Sequence, residues 1–315
     1  MTNDQDKLTS RGQLQLESGT LWTKVKQQSD HALQCSALLS IPTDYELVED
    51  HGITFLVRIL VNLVRKEQAK KQEKKHHVTP GKEFNPFLPY EEDLFVSDIS
   101  QTHLCLLNKF NVVNHHLLIV TKAFEKQESW LNLADFEALW ACLREIDGLG
   151  FYNGGKLAGA SQRHKHLQLV PFPFVPEECT LNLPIEEAVA TVKFEDYLGT
   201  VANFPFRHAI AKFDLNLSQT PAEAALVSLG VYQKLIQALG LGAPQQEGTE
   251  QSGAYNLLVT REWMLLVARS RESFQTVPIN SLGFAGSLFV RNQEQLKIIR
   301  QQGPMKILQS VGFTV

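Results

Sequence analysis

Residues 153–168, NGGKLAGASQRHKHLQ, place three glycines ahead of two alternating histidines and a glutamine. Side chains on a strand alternate between faces, so His164, His166 and Gln168 share one face while Leu167 and Leu169 point to the other. The leucines anchor such a strand in a core and leave three polar groups lined up at one surface. Just upstream, Gly154, Gly155 and Gly159 precede Ser161 and Gln162. Glycine tolerates positive φ and lets backbone N–H groups approach a ligand closely, which is how phosphate oxygens are commonly cradled.

A nucleophile beside a phosphate cradle points to nucleotidyl transfer. Neutral imidazole attacks well near pH 7, and a phosphoramidate splits one displacement into two easier ones. For His166 to attack through one ring nitrogen, its other N–H must be held, for which a backbone carbonyl serves. Gln168 can donate a hydrogen bond to a phosphate oxygen but cannot relay a proton as a third histidine could. Such a site positions groups and stabilises charge more than it activates water. Neither the HxH pair nor the glycine loop is specific alone. Their direct succession, with glutamine in the same strand period, is. A zinc site built from His164 and His166 with His115, His116 or a cysteine is the competing chemistry, but no second ligand pair at close spacing supports it. His115 and His116 sit inside an apolar run and read as structural.

Outward from this segment, residues 103–107 and 114–120 are β-rich, with 108–111 between them as a hairpin connection. Leu133, Phe136, Leu139, Trp140, Leu143 and Ile146 recur at helical spacing from Asn132, and Gly148 and Gly150 are expected to close that helix. A strand over 164–170 ends at Pro171 and Pro173. Residues 222–241 read as a helix, 245–252 as a polar loop, 255–260 and 264–269 as a hairpin, 287–290 as a short strand and 293–300 as a helix. Strands and helices come in blocks without regular alternation, so the expected class is α+β. The first 39 residues are expected to supply helices that close over the core.

The chain has 315 residues, of which 43% are hydrophobic and 20% charged, the composition of a globular protein with a real core. A net charge of −4 and a pI near 6.2 argue against a nucleic-acid partner. No apolar run approaches the ~18 residues that span a bilayer. Residues 1–15 are polar and unlike a secretory signal. The four cysteines (Cys35, Cys105, Cys142, Cys179) are scattered and form no CxxC pair, which fits reduced thiols and a cytoplasmic location. Residues 65–77 carry six Lys or Arg against two Glu and read as a solvated loop or frayed helix end.

The central segment resembles the histidine-triad (HIT) superfamily, above all its transferase branch, the diadenosine tetraphosphate (Ap4A) phosphorylases or ATP adenylyltransferases, whose triad is HxHxQ. Here that motif is His164-Lys165-His166-Leu167-Gln168, preceded by the matching NGG…GASQ loop. The likeness extends to residues 51–66, 85–89, 106–127, 255–269 and 280–291, hence to most of the chain beyond about residue 40. It implies an antiparallel HIT-like sheet with flanking helices. Residues 1–180 would form the catalytic part and 181–315 an ATP adenylyltransferase-type part, packed as one unit. His166 would become adenylylated, with Gln168 and His164 on the phosphates. Asn153 and Gly159, Ala160, Ser161 and Gln162 would hold ribose and phosphate. Asn108 and Lys109 would contact nucleotide, Asn280, Ser281 and Arg291 would reach in from the C-terminal part, and Lys66 stands where the family places a substrate lysine.

The implied reaction is reversible phosphorolysis of Ap4A by inorganic phosphate to ATP and ADP. The implied partners are these nucleotides and AMP, with no membrane partner and an oligomeric state left open. No protein metal centre or covalent cofactor is implied. Magnesium would come with the nucleotide, for the sequence shows no dedicated carboxylate site for it. Two alternatives remain at this point: a uridylyl transfer of the hexose-1-phosphate uridylyltransferase type, which also uses HxHxQ, and a catalytically idle nucleotide-binding module. A hydrolase fits less well, because Gln168 replaces the third histidine.

Overall fold

The structure, a computed structural model, describes residues 13–60, 85–176, 181–213, 219–242 and 250–315. Its strands are β1 (Thr43–Asp50), β2 (Ile53–Leu60), β3 (Phe95–Asp98), β4 (His103–Leu107), β5 (Leu117–Thr121), β6 (Gly148–Gly154), β7 (His166–Pro171), β8 (Leu198–Gly199), β9 (His208–Lys212), β10 (Tyr255–Val259), β11 (Trp263–Ala268), β12 (Ser273–Phe274), β13 (Val277–Pro278) and β14 (Ser287–Val290). Its helices are α1 (Leu21–Gln34), α2 (Leu133–Leu143), α3 (Glu186–Ala190), α4 (Pro221–Ala238), α5 (Ser281–Phe284), α6 (Gln293–Gln302) and α7 (Pro304–Val311). Lys66 and the basic run 65–77 lie outside the described residues, as does most of the polar loop 245–252. No helix among the described residues is long and apolar enough to cross a membrane.

Nine strands form one antiparallel sheet in the order β3-β4-β5-β7-β6-β10-β11-β9-β8. The class is therefore the α+β expected. Strands from both halves of the chain share this sheet, joined where β10 pairs β6 through Asn256↔Asn153 and Leu258↔Phe151. The triad strand β7 lies inside it, between β5 and β6. One face carries Leu117, Ile119, Leu167, Leu169, Leu257 and Val259 against α1, α2 and α4. The other carries Leu149, Phe151, Val170 and Leu258 against a small sheet, β1-β2-β14, and the C-terminal helices.

Local sequence explains the helix starts. Asn132 accepts the Asp135 N–H at 3.1 Å while Asp135 accepts the Asn132 N–H at 2.8 Å, a reciprocal cap for α2. Thr220 and Glu223 repeat the device at α4, with Pro221 in the first turn. The end of α2 departs from expectation. It stops at Leu143, and Gly148 and Gly150 lie in β6. A Cβ on Gly148 would sit 2.3 Å from the Val170 carbonyl oxygen, and one on Gly150 would sit 2.8 Å from Leu139 Cδ1. These glycines allow a strand to press against its neighbour and against the helix above it. Strand β5 also begins later than expected, at Leu117, because residues 108–116 form a loop closed by Asn108 N–H to the His116 carbonyl at 2.8 Å.

Between the triad residues, Lys165 points to the helix face, where it is fully buried. Its ammonium lies 2.6 Å from Asp135 and 3.0 Å from Glu125, and it donates to the Trp130 carbonyl at 3.0 Å. Asp135 also takes His103 Nε2 at 3.1 Å. Burial works against both charges. The Lys165 ammonium and His103 nevertheless hold Asp135 at about 2, and Asp135 with Glu125 lifts Lys165 above its usual value. Removing one partner of such a pair strands a buried charge. Asp135→Ala is therefore expected to lower unfolding free energy by about 3–5 kcal/mol, read from urea denaturation. A loss below about 1 kcal/mol would mean that the pair does not hold the triad strand in place.

Candidate functional site

His166 is buried, and both of its backbone-side anchors are explicit. Its Nδ1 lies 2.8 Å from the His164 carbonyl oxygen. A carbonyl only accepts, so the proton sits on Nδ1 and Nε2 carries the free lone pair. Its backbone N–H donates to Gln127 Oε1 at 2.9 Å. Gln127, itself fully buried, returns its amide to the carbonyls of Asn153 at 3.0 Å and His166 at 3.2 Å. One side chain thus ties β7 to the end of β6. Burial lowers the His166 pKa to about 4 against the opposing His164 carbonyl bond. The ring is neutral at pH 7, and no described group takes its Nε2.

His164 is held from two sides. Its Nε2 faces the Thr121 carbonyl at 2.8 Å and the Ala123 carbonyl at 3.2 Å, so it carries the proton there. Its Nδ1 accepts from Asn85 Nδ2 at 3.1 Å, and Asn85 Oδ1 accepts the Phe87 N–H at 2.9 Å. A phosphate contact from His164 would require one of these bonds to open. The Phe87 ring packs on both imidazoles, with centroids at 5.6 Å from His164 and 5.3 Å from His166.

Gln168 belongs to a relay of fixed dipoles. Asn108 Nδ2 donates to His116 Nδ1 at 3.2 Å, and His116 Nε2 donates to Gln168 Oε1 at 3.0 Å. The Gln168 amide NH2 has no hydrogen-bond partner among the described residues. Burial holds the His116 pKa down at about 4, and Gln168 opposes this only in part. His116 thus joins Asn108 to the triad through its two ring nitrogens. Lys109 pairs with Glu91 at 2.7 Å.

The glycine loop is placed by the C-terminal half. Gly155 and Gly159 take φ of +88° and +87°. A Cβ on Gly159 would lie 2.6 Å from the Ile279 carbonyl oxygen and 2.9 Å from Asn280 Cβ. Asn153 Oδ1 accepts from Ser281 N–H at 2.9 Å, Ser281 Oγ at 2.8 Å and Asn256 Nδ2 at 3.0 Å. Asn256 also donates to the Ala158 carbonyl at 2.8 Å and accepts from the buried Arg269. Burial pushes the Arg269 guanidinium down to about 9. Asn153 and Ser281 therefore meet, through a buried lattice that includes Asn256 and Arg269. Asn280 caps α5 through its bond from the Leu282 N–H at 3.1 Å. Ala160, Ser161 and Gln162 lie on the accessible side of the loop. Arg291 is exposed after β14, and no described contact links it to the triad.

Sequence reading passes over Gln127, Asn85, Thr121 and Asn256 as site residues. Gln127 and Asn85 lie in stretches that resemble the family, but their partners are 39 and 79 positions away, beyond any local pattern. Among the described residues, His164 and His166 do not join any other His, Cys, Asp or Glu in a set of three ligand atoms close enough to share an ion.

Residues 11–191 match the model of the Ap4A phosphorylase N-terminal domain, and residues 202–314 that of the ATP adenylyltransferase C-terminal domain. The chain is 29% identical over 253 residues to diadenosine 5',5'''-P1,P4-tetraphosphate phosphorylase 2 of Saccharomyces cerevisiae, covering 73% of this chain and 76% of that protein. It is 28% identical over 228 residues to Protein APA1 of the same yeast, covering 68% and 70%. Among solved structures, yeast Ap4A phosphorylase Apa2 in complex with Ap4A superposes with a TM-score of 0.75 at 22% identity, over 95% of this chain and 99% of that one.

Two of the buried histidines, His166 and His116, carry a pH signature. Unfolded, each binds a proton near pH 6.5, and folded, His166 and His116 do so only near 4. The unfolded chain therefore holds more protons between these values. Stability is at its full value above about pH 6.5 and declines as pH falls towards 4, by on the order of 3 kcal/mol per histidine. Urea midpoints measured from pH 7 to 4 should fall steadily, and a flat profile would mean that these rings are not held neutral.

Proposed function

Because the chain belongs to the Ap4A phosphorylase family, we propose that it cleaves Ap4A by phosphorolysis through an adenylyl-His166 intermediate. The observation that carries this reading is the His166 ring itself: neutral, with Nδ1–H bound to the His164 carbonyl and Nε2 without a partner among the described residues. Supporting it are the yeast relative named a tetraphosphate phosphorylase and the yeast Apa2 structures with AMP and with Ap4A.

His166 Nε2 attacks the α-phosphorus of one adenosine end. The N–P bond forms as the bond to the bridging oxygen breaks, and ATP departs with that oxygen. The proton on Nδ1 stays there, and the His164 carbonyl stabilises the positive charge that the ring gains. A phosphate oxygen then attacks the same phosphorus, the N–P bond breaks, ADP leaves and the ring returns neutral. Neither step needs a proton taken from water, which suits a triad that ends in glutamine. The Gln168 NH2, aimed by His116 and Asn108, donates to the phosphate oxygens. The Gly155–Gly159 loop, with Ser161 and Gln162 at its accessible side, cradles phosphate and ribose. Asn153 Nδ2, Lys109 and Asn280 are further contacts in this reading, and magnesium accompanies the polyphosphate as part of the substrate. Residues 1–180 and 181–315 act as one unit, which the shared sheet and the Asn153–Asn256–Ser281 lattice support.

Two substitutions test the assignment. Protein quenched with α-labelled Ap4A in the absence of phosphate should carry acid-labile AMP, released as ADP once phosphate is added. His166→Ala should abolish both label and turnover, by at least ~10³-fold, while nucleotide affinity changes modestly. Appreciable turnover in that variant would remove His166 from the nucleophile's role. Gln168→His restores a proton-relaying third histidine and should raise AMP over ADP as product; an unchanged product ratio would mean that Gln168 does not govern the acceptor.

A further inference from the structure

We propose that His31, Cys35 and Asp93 bind one divalent transition-metal ion of the zinc or cobalt kind, outside the contacts of the triad. His31 and Cys35 stand four residues apart at the C-terminal end of α1, so their side chains are neighbours on the helix surface. Asp93 comes from the single 3-10 turn Glu92–Leu94 ahead of β3. That turn is tied to the helix by Gln28, whose Nε2 donates to the Asp93 carbonyl at 2.6 Å. The three ligand atoms all lie within 4.8 Å of one another.

The arrangement differs from a nucleophile relay in one decisive respect. A Cys–His–Asp relay holds the acid on one ring nitrogen and the thiol on the other. Here His31 Nε2 faces both, with Asp93 Oδ1 at 2.7 Å and Cys35 Sγ at 3.9 Å. Sulfur, nitrogen and oxygen converge on a common point, as ligands of one ion do. Zinc bonds of about 2.05 Å to nitrogen and about 2.3 Å to sulfur at tetrahedral angles separate those atoms by roughly 3.6 Å. The His–Cys spacing is already close to that value, and the His–Asp hydrogen bond opens by roughly 0.6 Å to reach a ligand–ligand spacing. All three side chains are exposed and reach these positions by rotation. Water completes the fourth position. The mixed S, N, O donor set selects a borderline ion over magnesium or calcium.

On binding, the metal–sulfur bond forms as the Cys35 thiol proton and the displaced waters pass to solvent, and His31 gives its Nε2 lone pair with its proton on Nδ1. The bound ion cross-links α1 to the turn before the edge strand β3, and so adds stability in proportion to its affinity for the folded chain.

Metal-free full-length protein titrated with Co2+ should develop a thiolate-to-cobalt charge-transfer band with tetrahedral d–d absorption, saturating at one equivalent and erased by Zn2+. Cys35→Ser should lose the charge-transfer band, and His31→Ala should weaken binding at least tenfold. Zn2+ should also shield Cys35 of the wild-type chain from maleimide, read by peptide mass, and should raise the unfolding temperature. Absence of the band, its persistence in Cys35→Ser, or a Cys35 alkylated equally with and without Zn2+ would each overturn the proposal.

Discussion

A lysine buried without water survives only if opposite charge meets it, and Lys165 sets that condition in the middle of the triad. Alternation along the chain leading into β7 forces the issue. If His164 and His166 are to face a ligand, the residue between them must face the core, and in this chain that residue is charged. Asp135, at the first turn of α2, answers it while also capping the helix and receiving His103. Glu125 and the Trp130 carbonyl complete the shell. The helix start, the approach to β7 and the strand β4 are thereby pinned to one another. The register that presents His166 to the open side is the register in which Lys165 finds its carboxylates. A slip by one residue would turn the two imidazoles towards the helix-covered face and carry the ammonium away from its carboxylates.

Above that foundation the polar face is organised by dipoles. Every ring nitrogen of His164, one of His166 and both of His116 are committed to protein partners. What remains unspent is one lone pair on His166 and the amide hydrogens of Gln168. Both point the same way because β7 alternates and because Asn108 and Gln127 fix the two ends of the network. Burial keeps the His166 and His116 imidazoles neutral, so this face carries a lone pair and hydrogen-bond donors without a positive charge on either ring.

The parts legible in sequence are those set by short-range rules. The strand expected over 164–170 begins only at His166, but its period correctly places Leu167 and Leu169 inward, and the apolar spacing from Asn132 correctly predicts a helix. The α+β class followed from the grouping of elements. The need for a carbonyl to hold the His166 N–H was readable from chemistry, and that carbonyl is supplied by His164, two residues away. What was not legible depends on distant chain. Gly148 and Gly150 look like helix terminators until Leu139 and the Val170 carbonyl are seen pressing on them. Gln127 shows no local sign of its role, because that role is to bridge Asn153 and His166. What neutralises Lys165 also depends on distant chain, because its carboxylates lie 30 and 40 positions earlier.

The small sheet has its own consequence, one for the order in which the molecule is made. Strand β2 is paired on one side by β1, its immediate neighbour in sequence, and on the other by β14 in parallel, which comes far later in the chain. During vectorial synthesis the hairpin of β1 and β2 therefore emerges with one edge bare, and Ile53, Phe55 and Val57 wait for apolar partners such as Phe284, Leu288 and Met305. A bare edge of this kind invites pairing with other chains. The nascent protein must carry it until β14 has been made and can close it.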